Sequence, residues 1–271
     1  MAVQHVALLY ASPPEFDLAR ITARAAELTG QPVEALGPDE PLVLVHPGVL
    51  VSFDDGDIPA QTVIVGSDRP QPVGDYADLI QQSWATEGAA ELVAAATCEI
   101  KVLEIMTSTL DPGTRMTILH AVVRALTEAT GPLALAFEHS CQILRPEDAL
   151  AEWNAAPEAR PGCVNVRYFN PGDGSQLMDT RGLDEIGLPD LQCHFKVLDP
   201  GPVAHLLTSI AHYLIEHGPV IDSGHTVAGV EEGQTWTCRF EECLVQPKRT
   251  VLDLDPGPEF AAGKRDGPTG E

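Results

Sequence analysis

The chain has 271 residues, 44% of them hydrophobic, and carries 40 acidic against 16 basic side chains for a formal net charge of -24. That length and apolar content support a folded core of one large domain or two ordinary ones. No apolar run approaches the roughly 20 residues of a membrane span, and no basic stripe offers itself to a phosphate backbone, so neither a membrane nor a nucleic-acid partner is expected.

The acid excess is spread along the chain, with 23 acidic and 8 basic residues in 1–160 and 17 and 8 in 161–271. Such a surface stays soluble by self-repulsion, or offers an acidic face to a basic protein partner. The N-terminal stretch MAVQHVALLYASPPEFD has no basic region and runs straight into a strand pattern, so it does not read as a signal peptide and the expected location is the cytoplasm.

In chain order, Val3 to Tyr10 reads as a strand, and Ala11-Ser12-Pro13-Pro14 breaks it and supplies a cap. Leu18, Ile21, Ala25 and Leu28 form a helical stripe closed by Thr29-Gly30. Two short strands, Leu42–Val45 and Val49–Phe53, stand in a loop-rich region, followed by a strand at Thr62–Val65 and a loop at Pro70–Gly74. Tyr76 to Ala95 reads as one helix weakened at Gly88. A strand over Glu99–Met106, a helix opened by Asp111-Pro112-Gly113 and a strand over Leu133–Phe137 come next, with Cys141–Leu144 extending the edge.

The polar, proline-bearing segment 145–161 suggests a boundary between a first domain, 1–158, and a second, 159–256, followed by a loose tail, 257–271. Beyond it, Cys163–Phe169 and Gln176–Thr180 read as strands joined by a turn at 170–174.

The densest pattern follows. Leu191, Cys193, Phe195 and Val197 alternate as a half-buried strand, Asp199-Pro200-Gly201 opens a helix, and Val203, Leu206, Leu207, Ile210 and Leu214 make its stripe. Gly218-Pro219 ends the helix, and Val220-Ile221 reads as the next strand of the same sheet. The same layout recurs at Val6–Leu36, at Ile100–Phe137 and here. Each is a crossover candidate implying parallel neighbouring strands. The expected class is α+β, built from split-βαβ, ferredoxin-like units with helices packed on one face of mixed sheets. Gln234–Phe240 and Thr250–Leu254 complete the strands.

The motifs of nucleotide binding, hydrolysis and zinc proteolysis are missing, so no cofactor is expected. Asp54-Asp55-Gly56-Asp57 lacks the glutamate of a calcium loop and reads as an acidic turn. The six cysteines contain no C-x-x-C pair and read as buried reduced thiols. A zinc site from Cys193, His194, Cys238 and Cys243 lacks ligand spacing. His205 and His212 read as a polar helix rim. The candidate site residues are the polar ones at turns: Asp179, Asp190, His194, Asp222, His225, Lys248 and Arg249. Asp222 and His225, with Asp179 or His194, would supply acid–base chemistry to a hydrolase. Asp190, Lys248 and Arg249 would bind.

Met178-Asp179-Thr180-x-Gly182-Leu183, Gly187-Leu188-Pro189-Asp190-Leu191-Gln192-x-His194-Phe195, Asp222-x-Gly224-His225-Thr226, Pro247-Lys248-Arg249 and Val251-Leu252-Asp253-Leu254 together resemble the bacterial "domain of unknown function 4261" family over roughly residues 175–265. Val6 to Trp153 looks like the part that longer members carry. The resemblance implies a bacterial origin and this fold unit, and assigns no catalytic residue. With the catalytic motifs missing and a net charge of -24, the expected role is binding of a macromolecule, immunity-like or adaptor, without catalysis. A hydrolase and a structural subunit of a larger assembly are the alternatives.

Overall fold

The computed structural model describes residues 3–37, 41–66, 73–107, 109–156 and 158–263. The expected loop at 70–72 and the last part of the tail, 264–271, lie outside the described residues. The chain is α+β and divides into two compact units, Met1–Cys163 and Val164–Glu271.

The first unit is built on a seven-stranded sheet. Its strands are β1 (His5–Tyr10), β2 (Glu34–Ala35), β3 (Leu42–Phe53), β4 (Gly56–Val65), β5 (Cys98–Ile105), β6 (Ala134–Phe137) and β7 (Gln142–Leu144). They stand in the order β2-β3-β4-β5-β1-β6-β7, every neighbouring pair antiparallel. β5 and β6 therefore run the same way with β1 between them. The helix that joins them, α4 (Pro112–Thr130), spans a split connection rather than linking the parallel neighbours expected from the sequence.

α1 (Leu18–Thr29) and α4 cover one face of this sheet, where Ile21, Ala25, Leu119, Val122 and Leu126 meet Val6, Leu8 and Tyr10 of β1. The other face carries Ala7 and Leu9 of β1. It packs against α2 (Ala77–Gln82) and α3 (Ala89–Ala95), so helices lie on both faces and not on one.

The single helix expected over 76–95 is broken for a local reason. The Ser83 hydroxyl donates to Leu79 O at 2.6 Å and accepts from Ile143 N at 2.7 Å, and Thr86 donates to Ile143 O at 2.7 Å. These side chains satisfy the backbone of β7, and Gly88 then starts α3 from φ 76. The two short strands expected at 42–53 are one strand, because β4 pairs with it throughout and absorbs Pro47-Gly48-Val49 as a bulge between His46 and Leu50. The N-cap of α1 is Asp17, whose carboxylate accepts from Arg20 N at 3.0 Å, and not the 11–14 segment.

α5 (Pro146–Ala155) also belongs to the first unit, since Ala149 and Trp153 enter its core. The compact unit thus runs on to Cys163, past the polar segment that suggested a boundary.

His46 lies on β3 fully buried, with Nε2 3.0 Å from Thr62 Oγ1. Burial pulls its pKa down to about 4. The unfolded chain takes up that proton near the ordinary value of about 6.5. Between the two values the unfolded state binds more protons, so stability is lost as pH falls from about 6.5 towards about 4. His46 alone should remove about 1 kcal/mol between about pH 7 and about pH 5.5. Denaturant melts of wild type and His46→Gln at the two pH values check this: the variant should lack that part of the slope, and equal slopes would contradict it.

The second unit holds a six-stranded sheet. Its strands are β8 (Asn165–Phe169), β9 (Gln176–Arg181), β10 (Asp190–Phe195), β11 (Thr226–Ala228), β12 (Thr235–Glu242) and β13 (Thr250–Asp255), in the order β11-β12-β13-β10-β9-β8. Only β10 and β13 are parallel neighbours among the described strands. α6 (Pro200–His217) is capped by Asp199, whose carboxylate accepts from Gly201 N at 3.0 Å. It packs across β8, β9 and β10.

Val220-Ile221 is not a strand. The chain leaves α6 through Gly218 at φ 79, and Val220 N bonds back to Gly218 O at 2.8 Å, so these two residues turn. The next strand is the edge strand β11, and the parallel partner of β10 is β13. After β13 the chain turns back: Phe260 O accepts from Lys196 N at 2.8 Å and Ala262 N donates to His194 O at 3.1 Å. The start of the segment expected to be loose is thus tied to the end of β10. No helix among the described residues is long and apolar enough to cross a membrane.

Candidate functional site

Strand alternation divides β10 into two faces. Leu191, Cys193 and Phe195 form the apolar face, fully buried. Asp190, Gln192 and His194 point the other way. Gln192 stands opposite Asp179 of β9 and Asp253 of β13; Asp179 stands opposite Arg167 of β8, and Asp253 opposite Arg239 of β12. The result is one polar row, Arg167-Asp179-Gln192-Asp253-Arg239, running across five strands on one face of the sheet.

Asp179 and Gln192 have no exposure and Asp253 1%. A row of charge at that depth persists only if its members satisfy one another. They do. Arg167 grips Asp179 with Nε at 2.9 Å and Nη2 at 2.5 Å, and Gln192 Nε2 donates to Asp253 Oδ1 at 3.2 Å.

A loop between β12 and β13, Cys243 to Arg249, closes over this row. Arg249 sends Nε to Asp190 Oδ2 at 2.8 Å, Nη2 to Asp179 Oδ2 at 3.0 Å and to Thr180 O at 2.7 Å, and Nη1 to Pro247 O at 3.0 Å. Gln192 Oε1 accepts from Leu244 N at 2.8 Å, and Arg167 Nη1 donates to Gln246 O at 3.0 Å. Lys248 crosses the loop, with Nζ 2.9 Å from Cys243 O and 3.2 Å from Glu242 Oε1. Every strong donor of the cluster thus either neutralises a buried carboxylate or pins loop backbone.

Burial works to lower the pKa of Arg249, but Asp190 and Asp179 outweigh it and hold the guanidinium charged. Burial pushes the Asp190 carboxyl up, to about 7, against the pull of Arg249 and of Leu183 N, which donates to Oδ1 at 3.2 Å. Asp179 carries two guanidiniums on its oxygens, those of Arg167 and Arg249. Cys243 lies buried beside it, Sγ 3.6 Å from Asp179 Oδ2 and 3.3 Å from Arg249 Nη1. Burial raises its pKa against the pull of Arg249, and so favours the thiol form.

The structure brings Asp179, Asp190 and Arg249 together, with Lys248 at the rim. His194, one step along β10, lies against Gly263, where an added Cβ would come 2.7 Å from Nδ1. Asp222 and His225 are elsewhere. They sit in an exposed turn that extends β11 along β12, through Gly224 N to Cys238 O at 2.9 Å and Cys238 N to His225 O at 2.8 Å. Three strands separate β11 from β9, about 19 Å at the usual strand spacing, so this pair shares no pocket with Asp179. Asp222 meets His225 Nδ1 through its backbone N–H at 3.2 Å. That is turn chemistry, not a carboxylate steering an imidazole.

Sequence reasoning missed Arg167, Gln192, Cys243 and Asp253. For Arg167, Gln192 and Asp253 the signal is a polar residue at an alternate position of a strand, as in Leu252-Asp253-Leu254; Cys243 lies in a loop and carries no such mark. Among the described residues no group of three or more His, Cys, Asp or Glu side chains is placed to hold a metal ion.

A family model described as domain of unknown function (DUF4261) matches residues 179–255, so the resemblance carried by the motifs holds for that stretch. It begins at Asp179 and ends with β13, taking in Asp190, Gln192, Arg249 and Asp253. No curated protein and no solved structure matches the chain.

Proposed function

We propose that this protein acts in the cytoplasm by binding a basic protein partner, in an immunity-like or adaptor role, with no chemistry of its own. The observation that supports this reading is where the charge lies. Among the described residues the buried acids are Glu99, Glu104, Asp179, Asp190 and Asp253, and the buried bases Arg115, Arg124, Arg167 and Arg181. The interior is nearly balanced, so the excess behind the net charge of -24 is carried on the surface.

The polar cluster of the second unit fits the same reading. Its carboxylates Asp179 and Asp190 are engaged by Arg167 and Arg249, which also hold the 243–249 loop, and that makes it a clamp. The outer edge of that unit is acidic. Glu231 and Glu232 are exposed at the tip of the β11–β12 hairpin, where Gln234 Oε1 accepts from Val230 N at 3.1 Å and Glu231 N at 3.3 Å and fixes the tip. Ordered like charges at an edge steer an oppositely charged partner and disfavour acidic ones.

Capture of partners from the native host at low and at moderate salt tests the reading. It predicts a basic partner whose retention falls about tenfold as screening shortens the reach of surface charge. Repeated recovery of no partner, or of one indifferent to salt, would contradict it.

A further inference from the structure

We propose that the first unit binds a small oxyanion of the phosphate class in a cavity lined by Thr117, His120, Arg124, Trp153 and Arg160. The site belongs to the first unit and the clamp to the second, and the proposal does not rest on the partner-binding reading. Thr117, His120 and Arg124 recur at helical spacing on α4 and share one face. Trp153 comes from α5 and Arg160 from the segment after it. Together with Leu28 and Ala121 they line a partly open cavity of about 40 Å³. A water needs about 10–15 Å³ by the same measure, so the space is that of a few waters or one small anion.

The chemistry of the walls selects between them. Both ring nitrogens of His120, 4% exposed, are buried without a hydrogen-bond partner among the described residues, and so is Trp153 Nε1, on a residue 3% exposed. Leaving such groups unpaired is costly, so the cavity asks for an occupant that can pair with them.

Two guanidiniums face the same space. Arg124 is braced by Glu128 Oε1 at 2.8 Å, Trp153 O at 3.0 Å and Asn154 Oδ1 at 2.7 Å. Arg160 donates from Nη1 to Ala159 O at 3.0 Å and from Nη2 to Thr117 Oγ1 at 2.9 Å, whose own hydrogen goes to Gly113 O at 2.8 Å. Thr117 is therefore a positioning residue and Arg160 the anion ligand. In a chain this acidic, a cavity walled by two arginines and a neutral imidazole is a local reversal of sign. A hydrogenphosphate suits it: it accepts from the guanidinium and indole N–H groups, and it can both accept from and donate to an imidazole. Burial, Arg160 and His139 all keep His120 neutral, which is the form that can accept such a proton.

The test is calorimetric titration of the full chain with inorganic phosphate at matched chloride ionic strength, on wild type, Arg160→Met, Arg160→Lys and the exposed control Arg20→Met. Saturable millimolar or tighter binding is expected, weakened about tenfold or more in Arg160→Met, partly restored in Arg160→Lys and unchanged in Arg20→Met. A phosphomonoester probe run alongside distinguishes the source: equal or tighter binding would place the anion on a larger ligand at this same site. Absence of saturable binding to wild type would overturn the proposal and leave water as the occupant. Binding of equal strength in Arg160→Met would overturn it by placing the anion elsewhere.

Discussion

Replacing Asp179 with alanine is expected to cost about 3–5 kcal/mol of stability. The carboxylate has no exposure and takes both Arg167, itself 7% exposed, and Arg249. Its removal leaves Arg167 buried without its carboxylate partner and takes from Arg249 one of its two carboxylates. Such a pair contributes little relative to well-packed apolar residues, but breaking it strands a charge in low dielectric. Asp179→Asn should fall between wild type and Asp179→Ala. The exposed pair of Lys248 and Glu242 sets the contrast: Glu242 is 74% exposed, and Glu242→Ala should shift stability by no more than about 0.5 kcal/mol. Denaturant unfolding of the three variants checks the series. A loss below about 1 kcal/mol for Asp179→Ala would mean that the loop does not depend on the cluster.

Ile210→Ala is expected to cost about 2–5 kcal/mol, through lost transfer energy and the cavity left behind. Ile210 is 7% exposed and sits mid-helix in the buried stripe of α6, with Val203, Leu207, Ala211, Leu214 and Ile215. His205, on the same helix, is exposed, and His205→Ala should change stability by no more than about 0.5 kcal/mol. Equal losses would mean that the helix presents its other face to the sheet.

These two predictions differ in how far they were legible in the sequence. The Ile210 stripe was read directly, because a period of 3.6 between Asp199-Pro200-Gly201 and Gly218-Pro219 names both the helix and its buried side. The period of two gives the strand β10 as far as Phe195; Val197, expected on its buried face, lies beyond the strand at φ 69 and is 82% exposed, and Asp190 and Gln192 on the other face are buried as well. The failure came just after, at Val220-Ile221, where a pair of β-branched residues resembles a strand. Strand identity there depends on finding an edge to pair with, which is a tertiary fact. The Tyr76–Ala95 segment failed likewise: Gly88 flagged a weakness, but the bonds from Ser83 and Thr86 to Ile143, some 60 positions away in sequence, could not be seen.

The site was half legible. Asp179, Asp190 and Arg249 were picked out as polar residues near turns, and the fold gathers them. Asp222 and His225 were picked out on the same ground and stay in an exposed turn. Proximity in sequence to a turn does not distinguish the two groups. Strand parity does, because Asp179, Gln192 and Asp253 occupy facing positions on one side of neighbouring strands, whereas Asp222 precedes the edge strand and faces solvent.

The claim that function lies in the acidic surface and not in the clamp is tested most directly by comparing partner capture by wild type and by Glu231→Lys/Glu232→Lys at low and at moderate salt. The predicted result is a basic partner retained by wild type at low salt, lost at moderate salt, and weakened about tenfold or more in the variant, whose melting is unchanged. Retention of the same partner by both proteins at both salt concentrations would contradict it.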